Sequence, residues 1–94
     1  MKSYFLEELT DEGSARSALS KALPSWVEPW LLTDESEDVV AYFDVVRSPG
    51  GKVSIQADLS GRHHAEAALV IQILKSLKER LGGVVTDDDD NAIG

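Results

Sequence analysis

One long amphipathic segment constrains the fold more than any other stretch of the chain. His63 to Leu81 reads HHAEAALVIQILKSLKERL. Its apolar side chains recur at three- and four-residue intervals, which is the spacing of one buried helical face. These residues are Ala67, Val70, Ile71, Leu74, Leu77 and Leu81, and Leu69 and Ile73 widen the face. We expect Ser60 or Gly61 to open this helix and Gly82 to end it in a left-handed conformation. So broad an apolar face predicts a helix that lies flat on a sheet.

The strands of that sheet are predicted on both sides of the helix. Val39 to Arg47 is rich in β-branched and aromatic residues, which is typical of a strand. Ser48 to Gly51 (SPGG) predicts a hairpin turn, and Lys52 to Leu59 alternates between polar and apolar residues. Shorter strands are expected at Ser3 to Leu9 and at Val84 to Thr86.

A first helix is expected between the first two strands. Thr10 or Ser14 is its candidate N-cap, and Pro24 ends or kinks it after about Leu23. The resulting order, βαββαβ, is that of a ferredoxin-like α+β sandwich, with two helices on one face of a four-stranded antiparallel sheet. The last strand is short, and without it the chain is a βαββα sandwich.

Length and composition bound the class of protein. The 94 residues predict a single α+β domain over residues 1–94, with an acidic tail at 87–94. There is no cysteine, which excludes disulfides and suits a reducing cytoplasm. No stretch approaches the roughly 20 apolar residues of a membrane span, and the N-terminus carries acids where a signal peptide needs an apolar run. We therefore expect a cytoplasmic protein without a membrane segment.

The net charge restricts the partners. Seventeen acids against nine bases give a charge of −8. This charge opposes binding to nucleic acid, because that affinity comes mostly from neutralised phosphates. It suits a basic protein partner, and the simpler alternative is that acidity keeps a small protein soluble.

Two acidic stretches are expected to converge. In the ferredoxin-like topology, the start of the second strand and the end of the fourth lie at the same end of the sheet. The sequence therefore predicts an acidic pole, composed of Asp34, Glu35, Glu37 and Asp38 with Asp87, Asp88, Asp89 and Asp90. Such a pole would attract a basic partner, although runs of like charge are usually only solvated surface.

Two further surfaces are candidates for partner binding. Trp26 and Trp30 lie four residues apart, and they predict either an aromatic anchor for a partner or a cap on the end of the core. The open face of the sheet carries Tyr42 and Val46 among polar residues. A partly apolar open face is typical of a homodimer or partner interface.

The sequence gives no support for catalysis. His63 and His64 are adjacent, whereas two metal ligands on one helix are normally four residues apart. DDDDNAIG lacks the spaced ligands, central glycine and distal glutamate of an EF-hand. No nucleophile motif and no phosphate-binding loop is present. We expect a protein that is not an enzyme and holds no metal or cofactor.

The stretch LGGVVTDDDD, after an apolar helix, resembles the C-terminal ends of small bacterial immunity proteins from toxin–immunity systems. The resemblance covers about Ala65 to Asp90. It implies a tight inhibitory complex with a cognate toxin enzyme, often a nuclease, whose basic active site the acidic pole covers. The alternatives are a ferredoxin-like regulatory or ligand-sensing module, with a pocket near Trp26 and Trp30, and a structural domain that self-associates through the open sheet face.

Overall fold

The chain forms an α+β sandwich. The computed structural model describes residues 2–23, 30–33, 38–47, 50–61, 66–89 and 91–93. Its elements are β1 (Lys2–Leu9), α1 (Glu12–Ala22), β2 (Trp30–Thr33), β3 (Val39–Arg47), β4 (Val53–Leu59), α2 (Ala67–Leu81) and β5 (Val84–Asp87). All these strands form one antiparallel sheet in the order β2-β3-β4-β1-β5. The predicted α+β class is therefore confirmed.

Strand β2 is the main departure from the expected topology. Trp30–Thr33 lies in a stretch that the sequence predicts as irregular, yet it pairs antiparallel with β3, with Trp30 opposite Phe43. The sheet thus has five strands, and its order is not the four-stranded ferredoxin-like order. The physical reason is that a strand of four residues is stabilised by its neighbour, and the local pattern carries little of that information.

The core lies between the helices and one face of the sheet. Helix α2 packs on β1, β4 and β5, while α1 contacts α2 and β3. Burial of apolar surface in this layer is the main stabilising contribution. The side chains with at most 2% exposure include Leu6, Phe43, Ile55, Ala57, Leu59 and Val85 from the sheet and Ala15, Leu19, Val70, Leu74 and Leu77 from the helices.

Helix α1 begins at a cap that differs from the predicted ones. Asp11 is the N-cap, and its Oδ1 accepts the N–H of Gly13 at 2.9 Å. The Ser14 hydroxyl donates to Asp11 Oδ2 at 2.8 Å. These hydrogen bonds hold the pKa of Asp11 below its usual value, with the Ser14 hydroxyl as the largest cause. The prediction of Thr10 or Ser14 as the cap is therefore wrong, because Ser14 instead supports the capping carboxylate.

Helix α2 also begins later than predicted. It starts at Ala67, so neither Ser60 nor Gly61 is its N-cap, and residues 62–65, with both histidines, lie outside the described residues. Leu69 is 39% exposed and does not widen the buried face. Gly82 ends the helix with a φ of 79°, as predicted. Among the described residues, neither helix has the length and apolar character needed to cross a membrane.

Candidate functional site

The described part of the acidic C-terminal run lies at the end of β5, at Asp87, and in the turn that follows, at Asp88 and Asp89. After this turn the chain reverses, and Ala92 forms an antiparallel bridge with Thr86. The N–H of Ile93 donates to the carbonyl of Val85 at 2.8 Å. Since β1 occupies the other side of β5, the returning segment lies along the outer edge of the sheet. It therefore covers backbone groups that would otherwise invite pairing with another chain.

Asp87 holds this turn together. Its Oδ1 accepts the backbone N–H groups of Asp89 at 2.9 Å and of Asn91 at 3.0 Å. An aspartate that bonds to the backbone two residues later is a recurrent turn-forming device. Asp88 and Asp89 are exposed, and the carboxylates of residues 87–89 each have an oxygen within 4.8 Å of the others. The structure therefore gathers three of the predicted carboxylates, while Asp90 lies outside the described residues.

Asp38, the one described member of the other half of the predicted acidic pole, is not adjacent to this turn. Asp38 is half-buried directly before β3, and Asp34, Glu35 and Glu37 lie outside the described residues. Two strands, β4 and β1, separate β3 from β5, which corresponds to about 14 Å. Across the sheet, Asp87 pairs with Tyr4, Tyr4 with Ala57 and Ala57 with Phe43. Phe43 lies four residues after the first residue of β3. The start of β3 and the end of β5 lie at the same end of the sheet, but the register does not bring Asp38 next to Asp87.

Trp30 belongs to the core. Its side chain is 2% exposed, its Nε1 donates to the Ser20 hydroxyl at 3.2 Å, and the Arg16 guanidinium lies 5.8 Å from the ring centroid. The prediction of Trp30 as a surface anchor is therefore wrong, and the alternative of a core cap describes its position. Trp26 lies outside the described residues. Within the described part of the chain, the Trp30 ring is therefore not accessible to a ligand.

The face of the sheet that points away from the helices is the second candidate surface. Residues that pair directly share a face, so the register identifies its members. This open face comprises Ser3, Phe5, Glu7, Leu31, Tyr42, Asp44, Val46, Ser54, Gln56, Asp58, Val84 and Thr86. Tyr42 and Val46 are 37% and 36% exposed, and Phe5, Leu31 and Val84 are half-buried.

The charges on the open face all have one sign. Glu7, Asp44 and Asp58 are acidic, and the face contains no lysine or arginine among the described strand residues. Asp58 accepts the Ser3 hydroxyl at 2.6 Å and the Gln56 amide at 2.9 Å. The open face therefore combines exposed apolar side chains with fixed negative charge.

A cleft of about 250 Å³ opens where β1 bulges. The register between β1 and β4 shifts between Leu6 and Leu9, and Glu8 has a φ of 65°. Glu7 and Glu8 both line the cleft, together with Lys52, Val53, Ser54, Val84 and Thr86. The sequence carries no signal for this bulge, because residues 5–9 read as an ordinary strand end.

Two contacts define the polar groups of the cleft. The Thr86 hydroxyl donates to Glu7 Oε2 at 3.1 Å. The Lys52 ammonium lies 4.0 Å from Glu8 Oε1, and both side chains are more than half exposed. Solvent weakens such a pair. The cleft therefore offers two carboxylates at the end of the open face, with one loosely held cation beside them.

A separate ionic cluster joins α1 to the end of β3. Glu12 accepts hydrogen bonds from Nε and Nη2 of Arg47 and from Nε of Arg16. These bonds, the Arg47 bonds most of all, lower the pKa of Glu12 to about 2. The same pairing raises the pKa of Arg47. This cluster links two elements of the fold, and its groups stay ionised at neutral pH.

No protein-family model, curated protein or solved structure matches the chain. The resemblance of Ala65 to Asp90 to immunity proteins therefore stays a prediction. The function is therefore inferred from the chain's own fold, charge and surface residues.

Proposed function

We propose that this chain is a non-enzymatic binding protein that inhibits a basic protein partner, as its resemblance to bacterial immunity proteins implies. The observation that carries the proposal is the ordered turn at residues 87–89, where three carboxylates lie within 4.8 Å of one another in a chain of charge −8. Like charges held so close repel each other, and a cationic partner relieves that repulsion while being attracted toward it. A toxin enzyme with a basic active site, such as a nuclease, has the required charge.

We further propose a scaffold and a location for this protein. Without β2, the chain would constitute a ferredoxin-like sandwich, made of β1, α1, β3, β4, α2 and β5. Strand β2 would extend this sandwich at one edge. The antiparallel order β3-β4-β1-β5 and the packing of both helices on one face support this assignment. The absence of cysteine supports a cytoplasmic location.

Binding led by charge has a measurable signature. Exposed charges are screened beyond about 10 Å at 0.1 M salt and beyond about 3 Å at 1 M. Association with a basic partner should therefore slow markedly as salt is raised, because electrostatic attraction accelerates the encounter. Binding that depends on apolar contacts alone would change much less.

The test begins with capture of the partner. A tagged full-length chain is used to recover proteins from its host at about 50 mM salt, where screening is weak. The recovered partner is identified by mass spectrometry, purified and assayed with and without the chain. We expect one stoichiometric basic protein whose activity the chain suppresses. Recovery of no basic partner, or of one whose activity is unaffected, would contradict the proposed function.

A matched pair of variants then tests the acidic turn. Asp89→Asn removes one charge from the turn, and Glu79→Gln removes one exposed charge from the C-terminal part of α2, at the opposite end of the sheet. We expect the turn variant to weaken the complex by about tenfold, since charges near the contact act more strongly than distant ones. The helix variant should weaken it by less than about twofold. Equal effects would show that only net charge matters.

A further inference from the structure

We propose that the open face, together with the cleft at Glu7 and Glu8, is the surface that docks the basic partner. The partner segment would present apolar side chains next to lysine or arginine. This inference rests on the proposed function and specifies both the contact surface and the chemistry of what it binds. The acidic turn, at one end of the sheet, would then add electrostatic attraction at the edge of this contact.

The apolar part of the surface comes from adjacent strands. Tyr42 is 37% exposed and lies directly opposite Leu31 of β2, and Val46 is 36% exposed further along β3. Phe5 lies two strands away on the same face. Tyrosine and phenylalanine are enriched at protein interfaces because they bury a large area with few rotatable bonds. These side chains give the face a contact area that charge alone does not provide.

The negative charge of the open face favours a basic partner over a second copy of the chain. A second copy docked face to face would bring Glu7 and Asp58 toward the same two acids of its partner. Like charges placed opposite one another in an interface disfavour the pairing. A segment that carries lysine or arginine complements the same groups. Charge complementarity therefore favours a basic partner over a homodimer at this surface.

The cleft supplies a place for one basic side chain of the partner. Glu7 and Glu8 line it from one strand, and the hydroxyl of Thr86 fixes the Glu7 carboxylate at 3.1 Å. Lys52 occupies the rim at 4.0 Å from Glu8 in an exposed pair. Because such pairs are weak in water, a cation of the partner can displace Lys52. The cleft thereby fixes the register of a segment lying across the face.

The open face and the acidic turn can be tested separately. Asp87 pairs with Tyr4, whose side chain is buried on the helix side of the sheet. The turn therefore leaves the sheet at its end, whereas Tyr42 and Val46 project from the opposite side of the layer. Substitutions at exposed residues of one surface leave the other intact.

The experiment uses two defined peptides and the full-length chain. One peptide alternates arginine and tryptophan, and the other alternates arginine and serine at the same length and charge. Each is titrated into the labelled chain, and backbone amide shifts are recorded by NMR. We expect the tryptophan peptide to shift the amides of the open face and to bind about tenfold more tightly than the serine peptide.

Matched variants locate the contact. Tyr42→Ser with Val46→Ser should weaken the tryptophan peptide by about tenfold. Leu69→Ser removes an apolar side chain of similar exposure, 39%, from α2 and should leave binding unchanged. Glu7→Gln with Glu8→Gln should weaken both peptides, since both carry the arginine that enters the cleft. Unchanged binding by the open-face variant would overturn the inference.

The remaining outcomes separate this inference from the proposed function. Shifts confined to residues 87–89, or equal affinity for both peptides, would overturn docking on the open face while leaving a charge-led binding protein. Binding of neither peptide would contradict docking on the open face, and recovery of a basic partner by capture would still support the proposed function. A homodimer whose contact includes Tyr42 would also overturn the inference.

Discussion

Replacement of Gly83 by alanine tests the junction on which the cleft is built. Gly83 connects α2 to β5 with a φ of 95°. A Cβ atom there would lie 2.4 Å from the Glu7 carbonyl oxygen and 3.0 Å from Leu9 Cδ2. The left-handed conformation costs about 1–2 kcal/mol for a residue with a side chain. Forcing an extra carbon into a packed site adds about 1–3 kcal/mol.

The expected loss for Gly83→Ala is therefore about 2–5 kcal/mol in the free energy of unfolding. A chain of 94 residues is typically stable by only about 5–14 kcal/mol. In a domain of this size, about 3 kcal/mol corresponds to a decrease in Tm of about 12–24 °C. The variant should fold, but it should unfold at a much lower urea concentration than the wild-type chain.

Equilibrium unfolding in urea measures this loss, with Gly51→Ala as the matched control. Gly51 has a φ of 83°, but among the described residues, its chain neighbours aside, no atom lies within 4 Å of the position its Cβ would take. The control therefore carries the conformational cost alone, about 1–2 kcal/mol. If Gly83→Ala costs no more than Gly51→Ala, the close approach of Gly83 to β1 is refuted. The m-values of both variants should match that of the wild-type chain.

Two further predictions concern the ion pair at Glu12 and the turn at Asp87. The folded-state pKa of Glu12 is about 2, below the usual value of 4.5 for this side chain, so its contribution to stability is present above pH 4.5 and is lost as the pH falls toward 2. Arg47→Ala should therefore lower Tm at pH 7, and the difference from wild type should shrink in acid; a difference independent of pH would contradict the pairing. Asp87→Ala should accelerate hydrogen exchange at the Asp89 and Asn91 amides by about tenfold, whereas equal rates in both proteins would show that the carboxylate does not hold the turn.

The parts of the fold that the sequence predicts are those with strong periodicity. Helix α2 buries Val70, Leu74 and Leu77 at the predicted spacing. Strand β4 alternates between buried and half-buried residues over its whole length, as its pattern predicts. In both elements the buried side chains follow the predicted period, and Leu69 at the margin of the helical face is the exception.

The parts that the sequence does not predict depend on distant partners. Trp30 is buried in the core, where its indole contacts Ser20 and Arg16 of α1, and strand β2 exists through pairing with β3. The Glu8 bulge likewise arises where β1 meets its neighbours. In the acidic tail, the composition is evident from the sequence, but the reversal at Asp87 requires the later pairing of Ala92. Such features are decided by tertiary contacts.

The measurement that tests the central claim most directly is the dissociation constant of the purified complex with its captured partner as a function of salt. The claim is that an acidic chain of charge −8 binds a basic protein. We expect the complex to weaken by about tenfold or more between 0.05 M and 0.5 M salt, as screening shortens the range of its charges. A dissociation constant independent of salt, or a chain recovered only as its own dimer, would contradict the claim.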